Sequence, residues 1–174
     1  MAINNAGNSA KNKAYLIGDD SIILNGRILS DFHAGTIASL DFPTSLCSIK
    51  KGKNGNTVYS FSKKGEQAEL SLNIIRGSSD DLALNSLLLA QKLNPRFVVL
   101  LTGRIIRRVG TPGGRGAFIE ELSTEQIATS QDNYILSGGV FAGIPPISVN
   151  VDGEVEQNIA QYKILFATGE RTIT

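Results

Sequence analysis

Polar and apolar residues alternate along much of the chain between positions 57 and 75. In "NTVYSFS", Thr57, Tyr59 and Phe61 are separated by Val58, Ser60 and Ser62; after "KKGE", Ala68, Leu70, Leu72 and Ile74 are separated by Glu69, Ser71 and Asn73. A period of two over this length predicts half-buried antiparallel strands. Just upstream, Asn54-Gly55 reads as a two-residue hairpin turn, because both residues tolerate positive φ. The stretch "KKGKNGNTVYSFSKKGEQAELSLNII" (50–75) is therefore strand, basic tip, strand, second basic turn and third strand, with Tyr59 and Phe61 packed on one face.

The period changes in "GSSDDLALNSLLLAQKLNP" (77–95). Ser78 or Ser79 can cap a helix, Asp80 and Asp81 sit in a first turn that suits carboxylates, and Asn94-Pro95 stops it. Leu82, Leu84, Leu87, Leu88, Leu89 and Leu93 make an apolar face broad enough to imply burial on more than one side. Elsewhere the signals are for strands. "AYLIG" and "SIILNG" suggest a first hairpin with Asp19-Asp20 at its tip, and "ILSDFHAGTIASLDF" (28–42) offers Ile37 and Leu40 to the core. "RFVVLLTGRIIRRVG" (96–110) is a strand with a buried half and an exposed half, and "GTPGGRG" (110–116) is a loop. "AFIEELSTEQIATS" (117–130) fits either a short strand or a short helix. Residues 132–151 read as two strands broken at Gly138-Gly139 and Pro145-Pro146. The last strand, in 158–169, places Tyr162, Ile164 and Phe166 on one side. Residues 1–12 read as a mobile arm and 13–174 as a single domain without repeats.

Composition narrows the function classes. Eighteen glycines and no tryptophan in 174 residues favour many strands over a helical bundle. The one cysteine, Cys47, excludes an internal disulfide and a cysteine zinc cage. The N-terminus lacks a signal-peptide core and nothing approaches the ~18 apolar residues of a membrane span, so a soluble protein without membrane anchor is expected. Seventeen Lys+Arg against sixteen Asp+Glu gives a net charge of +1, too little to draw the whole molecule to nucleic acid. The charges are segregated, however. Lys92, Arg96, Arg104, Arg107, Arg108 and Arg115 form a basic block; Glu120, Glu121, Glu125, Asp132, Asp152, Glu154 and Glu156 form an acidic one. Each block suits either a solvated face or a head-to-tail contact between copies.

No catalytic constellation emerges. His33 is the sole histidine; beside Asp31 it makes a metal pair conceivable, but a surface or packing role fits better. Glu120 and Glu121, being adjacent, point to opposite faces of a strand. "GTPGGRGAF" lacks the Gly-Lys-Ser/Thr of a phosphate loop. No cofactor is expected, and the chain does not read as an enzyme.

The order of "LNGRILSDFHAGT", "KKGKNGNTVYSFSKKGEQAELSLNII" and "RGSSDDLALNSLLLA" resembles the phage tail tube proteins of myoviruses. The matching positions are Gly26, Phe32 and Gly35, then Gly52 and Gly55, then Ser78, Asp81 and Leu84, over roughly half of the chain; the segment 110–133 departs from the pattern and reads as an inserted loop. The resemblance implies a mainly β fold, two antiparallel sheets packed as a sandwich or partial barrel, one flanking helix near 79–93 and an extended hairpin. It implies a homohexameric ring whose sheet edges pair with sister subunits, and rings stacked into a hollow tube within a contractile sheath. Sheath, baseplate and terminator proteins would be partners, with double-stranded DNA passing without specific binding, in a virion tail assembled in host cytoplasm. On that reading Lys50, Lys51, Lys53, Asn54, Gly55 and Asn56 form an inter-ring arm directed at an acidic patch, Asp152 and Glu154, of a neighbour. Gln67, Glu69, Ser71 and Asn73 would face the lumen, where a surface that does not bind phosphate is needed. The rival readings are a nucleic-acid-binding β-barrel using the basic hairpin 50–64, and a tube initiator or injection-device tube protein.

Overall fold

A computed structural model describes residues 15–16, 20–95, 99–110, 129–147 and 158–173. The strands are β1 (Tyr15–Leu16), β2 (Ser21–Leu24), β3 (Arg27–Leu29), β4 (Ala38–Asp41), β5 (Cys47–Lys51), β6 (Thr57–Phe61), β7 (Ala68–Ile75), β8 (Leu101–Gly110), β9 (Thr129–Phe141) and β10 (Ile159–Ile173); α1 spans Ser79–Leu93. The fold is mainly β with one flanking helix, as expected. One antiparallel sheet runs β3-β2-β8-β9-β10-β7-β4, with β1 alongside β8, while β5 and β6 form a separate two-stranded sheet.

The first hairpin is not the expected one. β1 pairs with β8, and it is β2 and β3 that form the tight pair, Leu24 opposite Arg27. Asn25 (φ 49) and Gly26 (φ 79) turn it, two consecutive left-handed residues that match strand twist. Asp20 is not a turn tip; it accepts from Arg107 Nε at 3.2 Å. In the same way Gly138-Gly139 does not break a strand. β9 continues through it, and the register against β8 slips between Leu101 and Gly103, a bulge. Gly139 is glycine because Phe166 lies on it: an added Cβ would stand 2.5 Å from the ring.

The core follows the alternation. Ala68, Leu70, Leu72 and Ile74 of β7 and Ala160, Tyr162, Ile164 and Phe166 of β10 are buried side by side. Ile22, Leu24, Leu29, Leu101 and Leu136 join them, and Leu84 and Leu88 bring one face of α1 into the same cluster, with Ile37 and Leu40 packed at its margin.

The sheet curls until its two ends meet in one stretch of chain. β3 pairs with β2 at one end; a few residues later the same chain crosses to the opposite end. There Ile75 N donates to Asp31 O, His33 N to Asn73 O and Asn73 N to Ile37 O, Phe32 bridges Ile74, and β4 pairs with β7. Among the described residues the end strands β3 and β4 are three and four residues long, poor templates for another strand, whereas β10 from Thr168 to Ile173 pairs with β9 and not with β7. The chain thus joins the two ends of the sheet itself through residues 31–41, while the margin of β10 beyond Phe166 is not covered by β7.

One carboxylate fixes the corner. Asp80, 1% exposed in the first turn of α1, accepts from Ser30 N at 2.7 Å, Asp31 N at 2.9 Å and Arg27 Nε at 2.8 Å. Asp31 reciprocates, accepting from Ser79 Oγ at 2.9 Å and Asp80 N at 3.2 Å. Burial pushes the Asp80 pKa up, but the Asp31 and Ser30 amides and the Arg27 guanidinium together outweigh it and hold the carboxyl below its ordinary value. Asp80→Ala leaves two amides and a guanidinium without their acceptor, and a loss of about 3 kcal/mol is expected in urea unfolding at neutral pH. A carboxyl with a depressed folded pKa stabilises fully above the unfolded value and loses that contribution as pH falls through the folded one. The gap between wild type and Asp80→Ala should therefore narrow below about pH 4.

Candidate functional site

The element left outside the sealed sheet is the hairpin β5–β6, inserted between β4 and β7. Its register runs from Cys47 opposite Phe61, through Ile49 opposite Tyr59, to Lys51 opposite Thr57. The tip differs from a two-residue turn. Gly52 N donates to Asn56 O at 2.7 Å and Gly55 N to Gly52 O at 3.0 Å, so Lys53, Asn54 and Gly55 form a three-residue loop. Only Gly55 of these takes positive φ (82°). A turn closed by a left-handed glycine gives this loop, and Asn54 need not enter that region.

The root of the hairpin is fixed by close approach. Ser62 N donates to Leu46 O at 2.8 Å, and the Ser62 hydroxyl caps the 3-10 turn Lys63–Glu66 by accepting from Lys64 N. Gly65 in that turn is buried against the chain at Ser45 and Leu46; a Cβ there would stand 2.5 Å from Leu46 Cα.

Every residue of β5 and β6 is exposed. Strand parity sorts them into two faces. Cys47, Ile49 and Lys51 share one with Phe61, Tyr59 and Thr57; Ser48, Lys50, Ser60 and Val58 share the other. Tyr59 and Phe61, expected to pack, are 64% and 81% exposed, and Ile49 beside them is 60% exposed. The physical reason is that the core is built from β7, β10 and α1 with β2, β3, β8 and β9, and no residue of the hairpin belongs to that cluster. Two isolated strands are marginal in water, and an aromatic face of this size on a monomer marks an interaction surface. Lys50, Lys51 and Lys53 stand at the tip with no ion pair among the described residues. Asp152 and Glu154, their expected counterparts, lie outside the described residues, as do the N-terminal arm and 111–128 of the inserted segment.

The proposed lumen strip is brought together as a face. Glu69, Ser71 and Asn73 project from β7 away from the buried Ala68, Leu70, Leu72 and Ile74, with Gln67 just before the strand. Glu69 does not stand alone: Lys163 on β10 pairs with it, and Asp41 lies opposite on β4. Asn73 donates to Thr36 O at 2.8 Å. This face is polar and close to charge-balanced.

The remaining candidates dissolve into packing. His33 Nδ1 meets Ala34 O at 2.7 Å while Asp31 serves the helix terminus, so they form no metal pair; no cluster of three metal-ligating side chains exists among the described residues. The basic block is partly neutralised within the chain. Arg107 meets Asp20 and lies opposite Asp132. Arg171 holds Asp132 with two bonds of 2.8 Å, which keep that carboxyl below its ordinary pKa, and its guanidinium lies over the Tyr134 ring. A cavity of about 210 Å³ at one mouth of the curled sheet is lined by Asp20, Ile22, Leu40, Ile105, Arg107 and Tyr134. Its charged pair is already satisfied and it contains no nucleophile–base pair.

No protein-family model and no curated protein matches the chain. What it does must be argued from the hairpin itself.

Gly65→Ala tests whether the root aims the hairpin. The added methyl has backbone atoms in its way, so the turn and Leu46 must part, at a cost of about 1–3 kcal/mol. Limited trypsin digestion should cut after Lys50, Lys51 and Lys53 several-fold faster than in wild type, while β-sheet circular dichroism is retained. An unchanged cleavage rate would show that the root does not hold the hairpin.

Proposed function

We propose that the chain is a self-assembling structural subunit of a phage tail tube, stacked in rings to form the conduit for genome ejection. The observation that carries this reading is the hairpin 47–61: an amphipathic, rooted, two-stranded arm whose apolar face is left exposed by the described residues. A surface of that kind costs solubility and is retained where another molecule covers it. Its lysine tip, reaching beyond the body of the fold, suits a neighbour's acidic surface, and Asp152 and Glu154 are the proposed partners. The Gln67, Glu69, Ser71 and Asn73 face, polar with Glu69 balanced by Lys163, suits a bore past which phosphate slides without adhering.

One observation favours a second reading. Tyr59 and Phe61 are exposed on the same face and flanked by Lys51 and Lys53, which is the arrangement of a stacking platform for single-stranded nucleic acid. The two readings separate on one preparation. Concentrated protein viewed in negative stain should give hollow rods of uniform width, and replacing Lys50, Lys51 and Lys53 together by Glu should weaken rod formation with circular dichroism unchanged. Normal rods from the triple variant would remove the tip from the contact. A binder that engages three phosphates through those lysines would instead show log affinity for single-stranded DNA falling with log salt at a slope of about −2. A tube subunit should show affinity too weak to define a slope.

A further inference from the structure

The chain carries two Asn–Gly pairs, Asn25-Gly26 and Asn54-Gly55, and both asparagines are exposed. Such a pair is chemically labile. The backbone nitrogen of the glycine can attack the asparagine Cγ, because glycine has no side chain to obstruct the approach and its backbone turns freely. A five-membered succinimide forms as the C–N bond of the carboxamide breaks and ammonia leaves. Water then opens the ring, giving either aspartate or its isomer linked through the side-chain carboxyl. Water is the only co-reactant. Exposure does not separate the two sites, but bonding does.

Asn25 is tied to β8 through both its main chain and its side chain. Asn25 N donates to Thr102 O at 2.8 Å, and Asn25 Oδ1 accepts from Thr102 N at 2.8 Å. To reach Gly26 N, the carboxamide must give up the second bond and leave the Thr102 amide without its acceptor. The tight turn also fixes the two residues relative to one another, since both hold left-handed backbone, φ 49 and φ 79. Asn54 is under neither constraint. Its side chain has no hydrogen-bond partner among the described residues, and its φ is not positive. Gly55 N donates to Gly52 O at 3.0 Å, but this is one bond in an exposed three-residue loop, the kind of bond that local opening breaks at little cost.

We propose that Asn54 is a site of spontaneous modification, at which the tip of the β5–β6 hairpin converts to aspartate and isoaspartate, while the same dipeptide at Asn25 is protected by its bond to Thr102. The surroundings of Asn54 favour the reaction. Lys50, Lys51 and Lys53 are close in the chain, the attacking nitrogen must shed a proton, and the tetrahedral intermediate carries negative charge that those ammonium groups stabilise. The product alters the tip in two ways. A neutral carboxamide becomes a carboxylate beside Lys53, removing one unit of net positive charge from the tip. The isoaspartyl form also adds a methylene to the main chain inside the loop that Gly52 N and Asn56 O close. The reaction needs no partner, so this inference stands apart from the self-assembly reading.

The test follows both sites in one sample. The full chain is held in warm, mildly alkaline buffer, with a parallel sample in the same buffer containing urea. A protease that cuts at acidic residues releases Asn25 between Asp20 and Asp31, and Asn54 between Asp41 and Glu66. Mass spectrometry with fragmentation then follows conversion of amide to acid at each position. In the folded chain Asn54 should convert about tenfold faster than Asn25, the factor expected from one hydrogen bond that must be given up. In urea, where Thr102 no longer holds Asn25, the gap should largely close. Equal rates in the folded chain would overturn the protection of Asn25. An Asn54 that stays unchanged in the folded chain yet converts in urea would show that the Gly55–Gly52 bond shuts the loop, and would overturn the site itself.

Discussion

Three donors converge on the carboxylate of Asp80, and the shape of the molecule follows from what they hold. The amides of Ser30 and Asp31 and the Arg27 guanidinium belong to the corner where the chain leaves β2 and crosses to β7. Tied to the start of α1, that corner turns sharply enough for a single stretch of chain to form both margins of the sheet. The carboxylate is buried, so it can stay charged only with all its donors present. The same bonds anchor the N-terminus of α1, which brings Leu84 and Leu88 into the core. The corner therefore joins the two ends of the sheet, and the β5–β6 hairpin is left projecting from it.

What projects is the hairpin, and its root explains why it is an arm rather than a floppy loop. Gly65 lets the turn lie against the chain at Leu46, and the Ser62 amide closes the ladder on Leu46 O. The two strands thus leave the body in a set direction although every residue of both is exposed among the described residues. In a monomer the exposed aromatic pair would be a liability without a return. In an assembly the same pair, presented by a fixed root, is pre-organised, so less ordering entropy is lost when a partner covers it.

Much of this was legible in the alternation. β7, the register of buried residues on β10 and the span of α1 follow from period and capping chemistry, because those positions answer to a single core; of the two candidate caps, Ser78 and Ser79, the helix uses Ser78. The misreadings share a cause, which is that local signals are silent about partners. Asn25-Gly26 carries the same turn signature as Asn54-Gly55, yet it is the former that makes the tight two-residue turn, since Gly52 and Asn56 pair across the latter. Gly138-Gly139 looked like a break because glycine weakens strands; that Phe166 fills the space from a strand nearly thirty residues away is a tertiary fact. Tyr59 and Phe61 alternate as buried residues do, and alternation cannot say whether the covering surface belongs to the same chain. The Asp80 clasp was visible only as a favourable first-turn acid, since its partners lie some fifty residues upstream.

The breadth of the leucine face on α1 implied burial on more than one side, and the fold buries only part of it. Six leucines exceed what one packing surface can take, and the fold accepts Leu84 and Leu88 fully and Leu87 in part. The surplus leucines fall on the far side as a stripe rather than scattered around the helix. Random exposure would not align them, because helical geometry brings residues 82, 89 and 93 together only through spacings of seven and four. Among the described residues two apolar faces thus lie outside the core, one on the projecting hairpin and one on α1.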